Sequence, residues 1–287
     1  MTREEMIARA QAMRSRDIFG AVPQEIIDAV PAVQQEITVA GTHVYAITPN
    51  TGLNPGCPMV INYHGGGFIK GRQTKDHLFC NELAVELGCL VWDVDYKLAP
   101  EYPYPTAVQE AYAVAEYAFS HWEELGVDPK KIVLMGHSAG GNLAVVTCIK
   151  AGETGAFKPA ALVAEFFPTD LATDPALKTR AEGDMPAEVA RTYNAFYCDP
   201  ETARTPYASP EFATEEQLAA FPDTLIMTAK RDSLSFEAEE FAKRLSQAGV
   251  TVTCRRFLNS RHGFTINRDG DWEASQALLK AFIKAHF

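Results

Sequence analysis

Residues 131–150 read KIVLMGHSAGGNLAVVTCIK. An apolar run, Ile132 to Met135, stops at Gly136; His137 and Ser138 follow, then Ala139, Gly140 and Gly141, and then apolar residues at helical spacing. The first run is short enough for a buried strand, and Leu143 to Ile149 reads as part of a helix. A serine is therefore set among small residues at the point where a strand turns into a helix. A sharp turn of this kind strains the backbone at its apex, and a bulky side chain at 136 or 140 would strike the adjoining strand or helix. The helix aims its free N-terminal N–H groups at the same place, which favours negative charge there. A tight turn with a serine N-cap is the plain structural alternative.

Outward from this stretch the chain alternates. Ile37 to Val39 and Val44 to Ile47 read as a hairpin around Gly41, and Met59 to Tyr63 as a strand. Asp76 to Leu87 is helical with Gly88 as its stop. Leu90 to Val94 is a buried strand, Thr106 to Leu125 one long helix, and Ala160 to Phe167 a strand. Thr224 to Ala229 and Val250 to Phe257 are strands around a helix from Phe236 to Ala248, and a helix from Trp272 to Ala285 closes the chain. Strands alternating with helices of ten or more residues predict an α/β fold, a mostly parallel central sheet with helices on both faces, with an antiparallel edge at the hairpin. At the start, Thr2 and Glu5 make a T-x-x-E capping-box pattern, so residues 3–16 read as an amphipathic helix. A second short helix follows Pro23, with Ile26, Ile27 and Val30 on one face and Pro31 at its end. From Leu171 to Phe221 no clear strand appears. Ala187 to Tyr197 reads as a helix there, and Tyr193, Phe196, Tyr197, Tyr207 and Phe212 argue against disorder. A long insertion of this kind is a lid or a binding segment.

The bulk composition narrows the function. The chain has 287 residues and a formal net charge of -11, which disfavours nucleic acid and anionic membrane surfaces as partners. Its six cysteines form no CxxC pair and no histidine cluster stands beside them, so no metal site is expected. Cys89 and Cys148 lie in apolar runs and read as small core residues. The charged N-terminus lacks the apolar core of a secretory signal, and no apolar run reaches the about 18 residues a membrane span needs. A cytoplasmic protein without a cofactor is expected.

GHSAG fits G-x-S-x-G, the nucleophile-elbow pattern. Upstream, MVINYHGGGFIKG at 59–71 follows another strand. A dinucleotide fingerprint fails because Lys70 stands where its third glycine belongs, and a phosphate loop fails because Arg72 follows Gly71. The remaining reading is a loop whose backbone N–H groups receive an oxyanion.

A serine hydroxyl needs a histidine to take its proton and a carboxylate to orient that histidine. His137 adjoins Ser138, but neighbours on a sharp elbow point different ways, so the base lies elsewhere. Downstream only His262 and His286 remain. His286 is the penultimate residue, on the last helix, whereas His262 sits in NSRHGF, a polar loop after the strand ending near Phe257. For the acid, Asp232 in AKRDS follows a strand at its carboxyl end, where sites form in open α/β sheets. Asp223 precedes the same strand, and the helix pattern makes Glu237 and Glu239 surface residues. The structural alternative for Asp232 is an N-cap for the helix that follows.

With HGGGF at 64–68, DYKLAPEYPYP at 95–105, GHSAGGNLA at 136–144, AKRDSL at 229–234 and HGF at 262–264, the chain resembles the hormone-sensitive-lipase-like family of α/β-hydrolase carboxylesterases. It departs from the family's pattern in carrying Asp232-Ser233-Leu234 where DPL is usual, and His137 where Asp or Thr often precedes the serine. The resemblance implies an α/β-hydrolase fold with a helical cap, Ser138 as nucleophile, His262 as general base and acid, and Asp232 as its orienter. It implies an oxyanion hole of the N–H groups of Gly66, Gly67 and Ala139. It implies a cap from residues 1–35 and 171–221 over a core of 36–170 and 222–287. Members hydrolyse short to medium acyl esters, need no metal or cofactor and are often homodimers. The expected activity is thus a serine carboxylesterase acting on a small ester, with a preference for short acyl groups. A non-catalytic small-molecule receptor on the same fold would lack a triad member, and a peptidase or amidase would use the same three residues.

Overall fold

The computed structural model describes residues 1–15 and 20–287, so the end of the helix expected over 3–16 lies outside the described residues. Eight strands form a single sheet: β1 (Ala32–Val39), β2 (Thr42–Pro49), β3 (Cys57–Tyr63), β4 (Leu90–Asp95), β5 (Val127–His137), β6 (Ala161–Glu165), β7 (Asp223–Arg231) and β8 (Val252–Arg261). They lie in the order β1-β2-β4-β3-β5-β6-β7-β8. The hairpin β1–β2 and the β2–β4 pair are antiparallel, and every other pair is parallel. The expected mostly parallel sheet with one antiparallel edge is the observed one.

The helices are α1 (Arg3–Arg14), α2 (Gln24–Asp28), α3 (Thr74–Leu87), α4 (Thr106–Ser120), α5 (Trp122–Leu125), α6 (Ala139–Thr154), α7 (Ala187–Tyr197), α8 (Glu215–Ala219), α9 (Leu234–Gln247), α10 (Phe264–Asn267) and α11 (Trp272–Lys284). The capping box of α1 forms as its sequence predicts, with Thr2 and Glu5 exchanging side-chain and backbone bonds. The long helix expected over 106–125 is two helices. The hydroxyl of Ser120 donates to the carbonyls of Glu116 and Tyr117, and His121 leaves helical backbone at φ -117° and ψ 23°. A serine bonding back to its own helix competes with the helical ladder.

The sheet has an apolar layer on each side because its central strands are apolar at both alternating sets of positions. Met59, Ile61, Leu134 and Leu162 join Trp92 and the residues of α4 and α6 on one face. Val60, Val133, Met135 and Met227 join Phe79, Leu83 and Leu279 on the other. Each such side chain contributes about 1.5–3 kcal/mol by leaving water. Cys89 and Cys148 are buried in these layers as expected.

The β5–α6 junction is crossed at very close range. A Cβ on Gly136 would lie 2.2 Å from the carbonyl oxygen of Gly140, and one on Gly140 would lie 1.8 Å from that of Tyr63 in β3. The helix therefore starts almost on top of the strands, and only glycine fits at both positions. Residues 166–222 then leave the end of β6, carry α7 beside the glycine loop and α8 past the last turn of α6, and return to β7. The helix expected at Ala187 to Tyr197 is α7. Its Phe196 packs with Ala10 of α1 and Ile69, which ties the first helix to this segment.

Candidate active site

Ser138 occupies the turn between β5 and α6 at φ 54° and ψ -124°. A non-glycine residue at positive φ is strained, and the surroundings hold it there: its N–H donates to the carbonyl of Glu165 at 2.9 Å. The hydroxyl faces away from its neighbour His137. It lies 2.9 Å from Nε2 of His262, which arrives directly at the end of β8. Nδ1 of His262 lies 2.8 Å from Oδ2 of Asp232. Three side chains far apart in the polymer thus form one hydrogen-bonded line. His286 stays at the other end of the sheet against Asp223, at 3.4 Å.

Two expectations about this region change. His262 follows β8 without an intervening loop, because the polar residues Asn259 to Arg261 continue the strand. Arg261 pairs with Arg231 beyond a bulge, and Asp271 accepts bonds from the Asn259 backbone and side chain and from the Ser260 hydroxyl. Glu237 is not a surface residue. Lys178, from the segment after β6, covers it with an ion pair of 2.6 Å, and its carboxylate accepts the N–H of Thr169 at 2.7 Å.

Asp232 is not the N-cap of α9, which is Ser233, but its side chain still braces that turn. Oδ1 accepts the N–H of Leu234 at 3.0 Å at the start of α9, while Oδ2 faces His262. Each carboxylate oxygen has one task, and the group is 1% exposed. Burial disfavours the charged imidazole of His262, but the charge and hydrogen bond of Asp232, with the charge of Asp184, outweigh it and hold its pKa above the usual histidine value.

The glycine loop runs beside this line. Gly66 has φ +123° and Gly67 φ +61°. A Cβ on Gly66 would lie 2.4 Å from the carbonyl of Lys70, and one on Gly67 would lie 2.2 Å from the ring of Tyr193. Two peptide planes of the loop are fixed by side chains. The Tyr96 hydroxyl donates to the carbonyl of His64 at 2.8 Å, and His64 Nδ1 bonds the carbonyl of Gly65 at 2.7 Å. That second carbonyl shares its peptide with the N–H of Gly66.

Serine, histidine and glycine loop open on a cavity of about 350 Å³ whose walls include Phe166, Leu171, Tyr193, Leu234 and Ile266. Mostly apolar walls with a few convergent polar groups suit a small organic ligand. Tyr193 and Asp184 lie in a segment with no readable motif, and sequence reasoning assigned them no part in the site. Asp184 accepts the N–H of Ser233 at 2.9 Å, and Ser233 Oγ accepts the N–H of Ala181 at 3.0 Å. The signal was Ser233 itself: the proline usual at this position in the resembling family has no N–H to give.

Behind the serine, Glu165 is fully buried. Burial pushes its carboxyl up to about 7, with Thr265 and the charge of His137 resisting. A carboxyl that keeps its proton when folded stabilises the protein below the unfolded value near 4.5 and loses that contribution as pH rises to about 7, a change of about 3 kcal/mol. Glu165→Gln cannot ionise, so its stability in urea should lack this fall between those pH values. An equal fall in both proteins would assign it to another group.

A model of the family described as alpha/beta hydrolase fold matches residues 60–266. Esterase LipI of Mycobacterium tuberculosis is 30% identical over 228 residues, covering 78% of this chain and 70% of that protein. An arylesterase of Saccharolobus solfataricus is 32% identical over 209 residues, covering 72% and 68%. Among solved structures, carboxyl esterase 2 of the mycorrhizal fungus Tuber melanosporum superposes with a TM-score of 0.83 at 28% identity, over 97% of both chains. With the sheet order, the elbow and these likenesses together, the chain belongs to the alpha/beta-hydrolase fold family, among its hormone-sensitive-lipase-like carboxylesterases.

Proposed function

We propose that this carboxylic ester hydrolase works as a serine esterase on short-chain acyl esters, through an acyl-enzyme. The observation that carries the reading is the line Ser138–His262–Asp232, with links of 2.9 and 2.8 Å, at the floor of an apolar cavity. Ser138 Oγ attacks the ester carbonyl carbon while His262 Nε2 takes its proton. The carbonyl π electrons move to oxygen, and the N–H groups of Gly66, Gly67 and Ala139 receive that oxyanion; losing one such donor costs about 3 kcal/mol in the barrier. The tetrahedral centre collapses, the bond to the alkoxide breaks, and His262 returns the proton to the leaving alcohol. Water then adds to the acyl-serine with His262 again as base, and the carboxylic acid leaves. Asp232 keeps the Nδ1 proton of the imidazole facing itself and favours the imidazolium that forms at each step.

Residues 1–35, of which 16–19 lie outside the described residues, and residues 171–221 are proposed as the cap. The short acyl preference rests on the cavity: about 350 Å³ is near the lower end for ligand pockets, which run from about 300 Å³ upward. A fluorophosphonate should add its phosphorus to Ser138 Oγ and nowhere else, seen by peptide mass spectrometry. In a series of p-nitrophenyl esters, kcat/KM should peak at acetyl to butyryl and fall about tenfold or more by decanoyl, as steric exclusion replaces apolar gain. Faster turnover of the long chains would refute the preference, and an unlabelled Ser138 would refute the mechanism. A cytoplasmic site of action and a homodimer belong to the same proposal and are tested by fractionation and light scattering.

A further inference from the structure

His137 stands one residue before the nucleophile, yet its ring serves neither Ser138 nor His262. It points across the sheet end into the glycine loop. The N–H of Gly65 donates to its Nε2 at 2.9 Å, and a Cβ on Gly65 would lie 2.7 Å from Cδ2 of the same ring. The loop therefore rests flush on the imidazole. Three atoms meet at this contact: Oδ1 of Asp76, on α3, is 3.2 Å from Nε2 and, among the described residues, faces no other hydrogen-bond donor. Its Oδ2 is anchored by the N–H of Gln73 at 2.8 Å. His137 and Asp76 are 6% and 4% exposed, so water does not resolve the competition. Nε2 can accept from Gly65 or donate to Asp76, but it has a single site for both.

Resting on the serine esterase reading, we propose that His137 is a positioning residue for the oxyanion loop: in its neutral form, with the proton on Nδ1, it holds the peptide 64–65 that precedes the Gly66 N–H, and on protonation it turns its donor to Asp76 and releases that peptide. Among the described residues, the peptide's other hydrogen bond is on its carbonyl side, from the Tyr96 hydroxyl. The ionisable groups acting on His137 come from three elements: Asp76 on α3, Asp93 on β4 and, once pH passes about 7 and it loses its proton, Glu165 on β6. Burial disfavours the imidazolium, and these three together favour it more, so its pKa stands above the ordinary value. The Phe166 ring lies between it and the reacting histidine, with centroids 6.2 Å from His137 and 5.1 Å from His262. Both imidazoles must be neutral for full activity, so the loop adds its own step to the acid side of the pH profile.

The test is steady-state hydrolysis of p-nitrophenyl butyrate between about pH 5 and 9 by the full chain and its His137→Ala and His137→Gln variants, with thermal melting alongside. His137→Ala should lose about 10- to 100-fold in kcat with KM changed less than about threefold, the pattern of a lost transition-state contact. Glutamine can accept the Gly65 N–H through its carbonyl and donate to Asp76 through its amide, so His137→Gln should recover to within about fivefold of the wild type. Its acid limb should lack the second step. An alanine variant within about twofold of the wild type overturns the proposal, as does a folded glutamine variant no better than alanine. If His137→Ala does not fold, the glutamine profile decides: a second step that persists there overturns the assignment. A wild-type chain that hydrolyses no ester would instead refute the esterase reading, before any variant is compared.

Discussion

Ser138→Ala should lower kcat for any ester the protein hydrolyses by about 10⁵- to 10⁶-fold, with KM nearly unchanged. In the proposed mechanism the Ser138 hydroxyl forms the acyl bond, whereas the walls of the cavity that would hold the substrate include Phe166, Leu171 and Tyr193. Binding and chemistry are therefore separable at this residue. Alanine also keeps the turn feasible, because the fold strain at φ 54° belongs to the backbone and not to the hydroxyl. Thermal melting should change little, and covalent labelling by a fluorophosphonate should vanish. Residual activity beyond about a thousandth of the wild type would mean that another nucleophile carries the reaction.

Asp232→Asn should cost about 10⁴-fold in kcat, since an amide in place of the carboxylate favours the wrong tautomer of His262. The residue's second task predicts where stability goes. The Asn side-chain carbonyl can still accept the Leu234 N–H now taken at 3.0 Å, so α9 should keep its start. Residual activity should also titrate differently. The Asp232 charge is one of the influences holding the His262 pKa above its ordinary value, and activity appears as pH rises through that pKa. Without the charge the pKa falls, so the acid limb of the asparagine variant should move to lower pH. A limb that stays in place, or moves up, would show that His262 is not the group whose deprotonation it reports.

The alternation of strand and helix was legible because a sheet covered on both faces needs apolar residues at every position of its central strands. Ile132 to Met135 carries that signature without interruption, and Leu90 to Val94 carries it with one break, Asp93, whose carboxylate is taken by Asn62 and Arg72. The elbow was legible for a different reason. Close approach of α6 to β5 and β3 leaves room for glycine alone at 136 and 140, and that demand is visible as residue type. The break at His121 was not legible, since Tyr117, Trp122 and Leu125 continue an apolar pattern while a single serine turns back on its helix. Glu237 was misread for want of a distant partner: Lys178 reaches it across 59 positions, and no local pattern announces an ion pair of that span. The three residues of the line could be named from order and context. The contacts that set them, Asp184 on Ser233 and His137 on Gly65, arise between segments with no shared periodicity, so only the folded chain reveals them.

The reciprocal bonds between Ser233 and residues 181–184 join the roof of the cavity to the turn that bears the buried carboxylate. In the proposed mechanism, shape selection and proton management therefore share one point of attachment. A chimera that exchanged residues 171–221 for the matching stretch of a relative with proline at position 233 would arrive without the acceptor that this turn expects. Such a transplant would bring new walls and at the same time loosen the footing of Asp232, so altered selectivity and altered proton transfer would be inherited together.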